Sequence, residues 1–269
     1  MLVIGENINT SNRSVGEAIA RRDRKFLEAL ARAEATAGAD FIDVDVGAGH
    51  STQEYEAATI EWLVETVQGA TDKPLAIDSE SSSVIEAALR KYHGERLIIN
   101  SVTAEPERLE SIGSLAAERQ AWLVALAMGT SGIPNNVEER LAACDQIMEQ
   151  LTHLGLREEQ IFFDPLVLPI AVDSTQGIVT LKTIEQLKLR YPAVRTVMGL
   201  SNVSYGLPNR KLVNRAFLLM AVYAGLDAVI LNPLDAKAMS FIKVANMLMG
   251  RDPLCKGYIR AHRKGILDD

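Results

Sequence analysis

Short aliphatic runs alternate with longer amphipathic stretches along the whole chain, and this alternation leaves few possible folds. Eight runs rich in β-branched and aliphatic residues predict strands, at 2–5, 41–46, 74–78, 97–100, 122–128, 161–164, 196–201 and 227–231. Apolar residues at helical spacing predict the helices between them, near 23–38, 54–70, 82–92, 106–119, 136–153, 178–190, 210–224 and 235–249. Gly38, Gly155 and Gly225 stand where helix C-caps are expected.

Eight strands that alternate with eight helices predict an α/β fold, the (β/α)8 or TIM barrel, in which an all-parallel sheet closes on itself. The alternative is an open, doubly wound sheet. It is disfavoured because no GxGxxG motif follows the first strand and the repeat runs on without a helical subdomain. Since no linker or shift in composition interrupts the 269 residues, we expect residues 1–269 to form a single domain.

Charge and cysteine content exclude several classes of protein. The formal net charge is −7, so neither a nucleic acid nor an anionic membrane is an expected partner. Cys144 and Cys255 are isolated, which indicates neither a disulfide framework nor a zinc site. The N-terminus lacks the pattern of a signal peptide, and the longest apolar runs fall well short of the ~20 residues that a membrane span requires. We therefore expect a cytoplasmic protein.

Polar side chains follow almost every predicted strand, at the end where barrels of this type carry their active sites. Only the fifth strand, which ends in Met128, departs from this pattern. The polar residues at the other strand ends are Glu6, Asn7, Asn9, Asp43, Asp45, Asp78, Asn100, Asp164, Ser201, Asn202 and Asn232. A turn or helix cap explains any one of them equally well, but their concentration predicts a polar pocket at the barrel mouth.

The same strand ends exclude several chemistries. No His ends a strand, and His50 falls in the loop after the second one, so a bound metal is not expected. The lack of a Lys at a strand end disfavours Schiff-base chemistry, and no nucleophile elbow is present. The segment 199–202 is not glycine-rich, which gives little support to a phosphosugar enzyme.

A pocket lined by Asp and Asn is suited to binding a heterocycle. A carboxylate can accept two parallel hydrogen bonds from a ring N–H and its exocyclic amine, and an Asn amide donates and accepts side by side. The 2-amino-4-oxo edge of a pterin offers that pattern. Asp78, Asn100 and Asp164 end the third, fourth and sixth strands, and we expect them to converge on one small ring.

Several segments together resemble one known family. They are GENIN at 5–9, IDVDVG at 42–47, LAIDS at 75–79, INS at 99–101, FDPL at 163–166, GLSNVS at 199–204, and the Asn-Arg pairs at 209–210 and 214–215. These segments resemble the methyltetrahydrofolate:corrinoid protein methyltransferases, which are pterin-binding TIM barrels. The folate domain of cobalamin-dependent methionine synthase and, more distantly, dihydropteroate synthase belong to the same group.

The resemblance implies a role for each matching residue. Asp78, Asn100 and Asp164 hold the pterin ring, and Asn202 approaches N5, the nitrogen that carries the methyl group. Asn202 and Asp164 are accordingly the implied catalytic residues. The rest of the implied folate wall is Gly199, Ser201 and Arg210, and the implied supporting residues are Glu6, Asn9, Asp45 and Met128. Arg215 is interpreted instead as a surface or packing residue.

The implied activity is methyl transfer, in either direction, between N5 of tetrahydrofolate and the cobalt of a corrinoid (cobalamin) carried by a partner protein. An Asn side chain that donates to N5 as charge develops would stabilise the transition state. Membership of the family also implies a role in one-carbon metabolism, in methylotrophy or acetogenesis, and a homodimer. Apolar residues available for an interface are Met239, Phe241, Met247, Leu248 and Met249, which suit ordinary packing equally well.

Two other functions stay open at this point. A dihydropteroate synthase-like enzyme would carry an Asn-x-Thr-Pro-Asp-Ser-Phe loop after the first strand and a Ser-x-Lys or Ser-x-Arg near the seventh. The chain has Asn-Ile-Asn-Thr-Ser-Asn at 7–12 and no such pair, which disfavours that reading. A non-catalytic folate-binding protein is the other alternative, although an intact Asn202 beside both aspartates favours an enzyme.

Overall fold

In the computed structural model, eight parallel strands form a closed barrel inside a layer of helices. The structure describes residues 1–47 and 52–267, so His50 lies outside the described residues. The strands are β1 (Leu2–Gly5), β2 (Phe41–Asp45), β3 (Leu75–Asp78), β4 (Leu97–Val102), β5 (Trp122–Leu126), β6 (Ile161–Asp164), β7 (Arg195–Gly199) and β8 (Ala228–Leu231). Strand β1 pairs with both β2 and β8, which closes the sheet. The predicted (β/α)8 barrel is confirmed, and the open sheet is wrong.

Helices connect the strands and cover the outside of the barrel. Within the described residues they are α1 (Arg13–Ala20), α2 (Arg24–Ala37), α3 (Gln53–Gln68), α4 (Ser82–Lys91), α5 (Pro106–Glu118), α6 (Val137–His153), α7 (Gln176–Arg190), α8 (Arg210–Ala224), α9 (Ala236–Leu248) and α10 (Lys256–Arg263). Short 3-10 helices occupy Glu158–Gln160, Leu200–Ser204 and Pro253–Cys255. None of the helices in these described parts is both long and apolar enough to cross a bilayer.

Helix α2 illustrates how the sequence sets the element boundaries. Asp23 caps its first turn, because the Phe26 N–H donates to Asp23 Oδ1 at 3.1 Å. The helix ends at Gly38, whose φ of 109° needs a residue without a Cβ. Between these caps Leu27 and Ala31 are fully buried against the barrel. Burial of a side chain such as leucine stabilises the fold by about 2 kcal/mol.

The predicted set of elements needs several corrections, among them β4, which ends at Val102 rather than at residue 100. Helices α1 and α10 were not predicted, since each is only eight residues long and α1 contains Ser and Gly, which are poor helix formers. Packing of Val15 and Ile19 stabilises α1 instead. Strand β5 ends at Leu126 rather than at residue 128, and β7 ends at Gly199 rather than at residue 201.

The interior of the barrel is apolar at one end and polar at the other. Side chains alternate along each strand, so every second residue faces inward. The buried apolar residues of the interior are Ile4, Phe41, Ala76, Ile98, Val124, Phe162, Val197 and Ala228. The Trp122 ring lies between Phe41 and Phe162, with ring centroids 5.5 and 5.4 Å apart, and fills the amino-terminal end. Two positions after Ile4, Phe41, Ala76, Ile98 and Phe162 the residues are polar, so the site lies at the carboxyl end.

Candidate active site at the mouth of the barrel

Asp78 and Asn100 stand side by side at the barrel mouth. Their Cα atoms are paired in the register of β3 and β4, and the Ser79 N–H donates to the Asn100 carbonyl oxygen at 2.8 Å. Burial and the negative charge of Asp45 raise the pKa of Asp78 to about 7, although the positive charge of Arg108 opposes that rise. The two strands therefore present a carboxyl group and an amide to one ligand.

Asp164 ends β6 and is buried. Its Oδ1 accepts a hydrogen bond from the Leu166 N–H at 2.8 Å, and Leu166 adopts a left-handed backbone with φ of 64°. Burial raises the pKa of Asp164 to about 6, against the hydrogen bonds from the Leu166 and Gly199 N–H groups and the charge of Arg140. This carboxylate is held in place by backbone donors on two neighbouring segments.

Arg140, on α6, holds the loop that follows Asp164. The Arg140 side chain is fully buried, and its Nη1 donates to the carbonyl oxygens of Pro165 at 2.8 Å and Leu166 at 2.9 Å. Its Nη2 donates to Gln176 Oε1 at 2.7 Å, and its Nε donates to the Pro134 carbonyl at 3.1 Å. A buried cation with this many acceptors fixes three segments in one arrangement.

Asn202 lies on the 3-10 helix that follows β7, not at the end of a strand as predicted. Its side chain is exposed, and it makes no hydrogen bond to another described residue. Gly199 lies directly beneath it, since a Cβ on Gly199 would be 3.4 Å from Asn202 Nδ2. A cleft of about 220 Å³ is lined by Ile133, Asp164, Leu166, Val167, Leu168, Pro169, Asn202 and Tyr205. The Asn202 amide can therefore turn toward a ligand beside Asp164.

Glu6, Ser201 and Arg210 form the wall next to this 3-10 helix. Arg210 Nη2 donates to the Ser201 carbonyl at 2.7 Å, and Arg210 Nε donates to Ser204 Oγ at 3.0 Å. Glu6 accepts hydrogen bonds from the Ser201 hydroxyl and the Asn232 N–H. Burial nevertheless raises the pKa of Glu6 to about 7. Arg210 thus fixes the backbone that carries Asn202.

The remaining predicted supports lie apart from Asp164. Asn9 and Asp45 form a backbone bridge and line a separate cleft of about 530 Å³. Asn9 Oδ1 accepts from the Ser11 N–H at 2.8 Å, and Asp45 Oδ1 accepts from the Gly47 N–H at 2.6 Å, so both side chains shape their own loops. The Met128 carbonyl accepts from the Ala104 N–H at 3.0 Å, which ties two loops together.

Arg215 packs between two helices, as interpreted from the sequence. Its Nη2 lies 2.7 Å and 3.0 Å from the two carboxylate oxygens of Asp235, the residue that caps α9. Among the described residues, no three His, Cys, Asp or Glu side chains are arranged to hold a metal ion.

Two buried carboxyl groups near the site were given no individual role from the sequence, although Asp43 was counted among the polar residues at the strand ends. Glu34 of α2 is fully buried, and its Oε1 accepts from the N–H and the Nδ2 of Asn7, each at 3.0 Å. The Glu34 carboxylate fits here because Gly5 has no side chain. A Cβ on Gly5 would lie only 2.7 Å from Glu34 Oε1. Asp43 lies inside the barrel on β2. The alternation Phe41, Asp43, Asp45 on one strand is the signal that could have placed Asp43 in the interior.

Comparisons with known proteins identify the family of this chain. The family model for pterin binding enzymes matches residues 5–232, and the chain belongs to that family. It is 32% identical over 269 residues to the methylcorrinoid:tetrahydrofolate methyltransferase of Eubacterium limosum, covering 98% of this chain and 97% of the relative. It is 30% identical to the methionine synthase of Mycobacterium tuberculosis, covering 86% of this chain but 20% of that much longer protein.

Solved structures of dihydropteroate synthases share the fold. The enzyme from Yersinia pestis with a pterine-sulfa conjugate superimposes with a TM-score of 0.67 at 16% identity, covering 93% of this chain and 94% of the other. The enzyme from Xanthomonas albilineans in complex with 7,8-dihydropteroate gives 0.68 at 17% identity, covering 94% and 93%. At these identities the likeness establishes the barrel fold alone.

Proposed function

We propose that this protein is a methyltransferase that moves a methyl group from the cobalt of a corrinoid protein to N5 of tetrahydrofolate. The observation that carries the proposal is the grouping of Asp78, Asn100 and Asp164 at one barrel mouth. Similarity along the full length of a methylcorrinoid:tetrahydrofolate methyltransferase supports the direction. The likeness to dihydropteroate synthases supports the fold alone, and the chain lacks their sequence signals.

The two aspartates and the asparagine are suited to the polar edge of a pterin. An ionised carboxylate at Asp164 or Asp78 accepts from a ring N–H and the adjacent amine, and the Asn100 amide completes the set of donors and acceptors. Because Asn100 and Asp164 are buried and Asp78 is half-buried, a ligand that left one of them unpaired would bind poorly. This requirement provides selectivity for a pterin.

Asn202 assists at N5. The corrinoid partner would supply the methyl group and keep both electrons of the methyl–cobalt bond. The N5 lone pair would form the new bond to the methyl carbon, and the N5 proton would pass to water at the open mouth. The Asn202 amide oxygen accepts from the N5 proton and so directs the lone pair toward the methyl carbon. In the reverse direction Asn202 Nδ2 donates to N5 as charge develops there. The exposed position of Asn202, beside Asp164 in one cleft, supports both roles.

The corrinoid protein docks on the carboxyl face of the barrel, where Asn202 opens to solvent. Apolar side chains are exposed on the loops around this mouth: Ile133 after β5, Val172 after β6, Tyr205 after the 3-10 helix and Leu234 after β8. A rim of this kind suits a transient protein interface. Tetrahydrofolate binds first in this scheme, because the docked partner would cover the mouth.

The functional unit is a homodimer of single-domain subunits, each formed by residues 1–269. Ile178, Met220 and Tyr223 are exposed along a groove of about 400 Å³ between α7 and α8, which offers an apolar surface for a second copy. Of the apolar residues near α9, Met239 is buried in the core and so is not available for an interface, while Leu248 and Met249 are exposed. The pairing of β1 with β8 supports the single domain.

The test is methyl transfer from methylcobalamin to tetrahydrofolate, with 5-methyltetrahydrofolate measured by mass spectrometry. Wild type should form it in proportion to enzyme concentration, and Asn202→Ala should not do so at a comparable rate. Asn135→Ala is the matched control, since Asn135 is an exposed asparagine near the mouth whose side chain makes no hydrogen bond within the described chain. Folate binding without any turnover would indicate a non-catalytic folate-binding protein.

A further inference from the structure

Asp43 lies inside the barrel, one level below the residues that face the ligand. In the register of β2 and β3, Asp43 is opposite Ala76 and Asp45 is opposite Asp78. The side chain of Asp43 therefore stands beside the small side chain of Ala76, beneath the carboxyl group of Asp78.

The surroundings of Asp43 do not suit an ionised carboxylate. Asp43 is 2% exposed, and its Oδ1 is buried without a hydrogen-bond partner among the described residues. The charged groups that act on it are Asp78 of β3, most strongly, then Asp45 of β2, Glu34 of α2 and Glu6 after β1. All four are carboxyl groups, so no described cation compensates a negative charge at this position.

We infer that Asp43 is a neutral carboxylic acid that donates its O–H to the carboxylate of Asp78, and so holds Asp78 ionised and oriented for the pterin ring. This inference rests on the proposed function, because Asp78 is its link to the folate. Asp43 is a positioning residue, since it acts through Asp78 and does not touch the ligand.

The environments of Asp43 and Asp78 determine which of the two carboxyl groups carries the proton. Burial and the surrounding carboxylates raise the pKa of Asp43 well above its usual range. Asp78 is half-buried, and the positive charge of Arg108 offsets part of the rise in its pKa, so Asp78 is the better site for the negative charge. Two neighbouring carboxyl groups that share one proton are a known way to hold one of them ionised.

The first test measures the proton on Asp43 without any folate. A carboxyl group whose pKa is raised in the folded state lowers stability as pH rises from its unfolded value toward its folded value. Asp43→Asn removes this loss, so the difference in melting temperature between this variant and wild type should shift in favour of the variant as the pH rises above about 4. Asp72→Asn, at an exposed aspartate, should show no such trend. A difference between Asp43→Asn and wild type that does not change with pH would overturn the inference.

The second test measures the link to Asp78 through the pH dependence of tetrahydrofolate binding. Asp43→Ala removes the donor, so the pH at which binding is half-maximal should rise by about one unit, while Asp43→Asn, which still donates, should match wild type. Asp43→Leu, which fills the volume without a donor, takes the place of Asp43→Ala if the alanine variant fails to fold.

The direction of this shift decides between the two states of Asp43. An ionised Asp43 would repel charge on Asp78, so its removal would move the midpoint to lower pH, and either that result or an unchanged midpoint would overturn the inference. If wild type bound no folate at any pH, the proposed function would fail, while the melting temperatures would still decide whether Asp43 holds a proton.

Discussion

Arg140 Nη1 lies 2.8 Å from the carbonyl oxygen of Pro165, the residue that directly follows Asp164. The same nitrogen is 2.9 Å from the carbonyl oxygen of Leu166, whose N–H in turn donates to Asp164 Oδ1. A helix residue on the outside of the barrel thus sets the position of a carboxylate on the inside.

Substitution of Arg140 should therefore weaken both the fold and the site. In Arg140→Met the carbonyl acceptors lose their donor, and we expect a loss of about 2–4 kcal/mol in the free energy of unfolding and weaker tetrahydrofolate binding. Urea unfolding and calorimetric titration measure the two effects. The exposed Arg119 at the end of α5 is the control, and Arg119→Met should change neither. Full folate affinity in a folded Arg140→Met would show that the loop does not depend on Arg140.

Loss of the amide at Asn202 should slow methyl transfer without abolishing folate binding. Asn202→Ala removes a group that acts mainly in the transition state, so we expect the rate to fall on the order of a hundredfold while the folate Kd stays within about tenfold. Single-turnover measurements with methylcobalamin, together with calorimetry, separate the two quantities. An unchanged rate would remove Asn202 from the mechanism.

Stability should decline as pH rises toward neutrality. The pKa values of Glu6 and Glu34 are raised to about 7 and that of Asp164 to about 6, all above their unfolded values. Between about pH 4.5 and pH 7 the folded state therefore binds more protons than the unfolded state, so the free energy of unfolding falls as the pH rises. The melting temperature should be lower at pH 7.5 than at pH 5.5. A higher one at pH 7.5 would show that these groups are ionised in the folded protein throughout this range.

A charge in the groove between α7 and α8 should separate the subunits of the proposed dimer. Tyr223 is 76% exposed there, and Tyr223→Glu would place a carboxylate in the middle of an apolar contact. Light scattering after gel filtration should give twice the 29.4 kDa chain mass for wild type and the single mass for the variant. Leu189→Glu is the control, because Leu189 is an exposed apolar residue of α7 that lies outside the groove. A wild-type protein of single mass would contradict the dimer.

The barrel and the strand-end aspartates could be predicted because they depend on local patterns. The aliphatic runs set the strands, and Asp78 and Asp164 directly follow such runs, so their place at the mouth needed no tertiary information. The 3-10 helix that carries Asn202 could not be predicted, because GLSNVS continues an apolar run and its conformation depends on Arg210, which binds it from α8.

Long-range partners also escaped prediction. Arg140 is one arginine among several on amphipathic helices, and its role depends on acceptors that lie 25 and 36 residues away in the chain. Glu34 enters the site region only because Gly5 has no side chain, a relationship between two elements that hydrophobic periodicity does not express. The residues that orient the site are thus harder to predict from the sequence than those that face the ligand.

A calorimetric titration with tetrahydrofolate, on wild type and on Asp164→Ala in parallel, tests whether the barrel mouth binds a pterin. We expect saturable binding by wild type and an affinity reduced at least tenfold in the variant, because Asp164 supplies a charge-assisted hydrogen bond to the pterin. Wild type that does not bind tetrahydrofolate even at millimolar concentration, or a folded Asp164→Ala that binds it equally well, would contradict a pterin site at this barrel mouth.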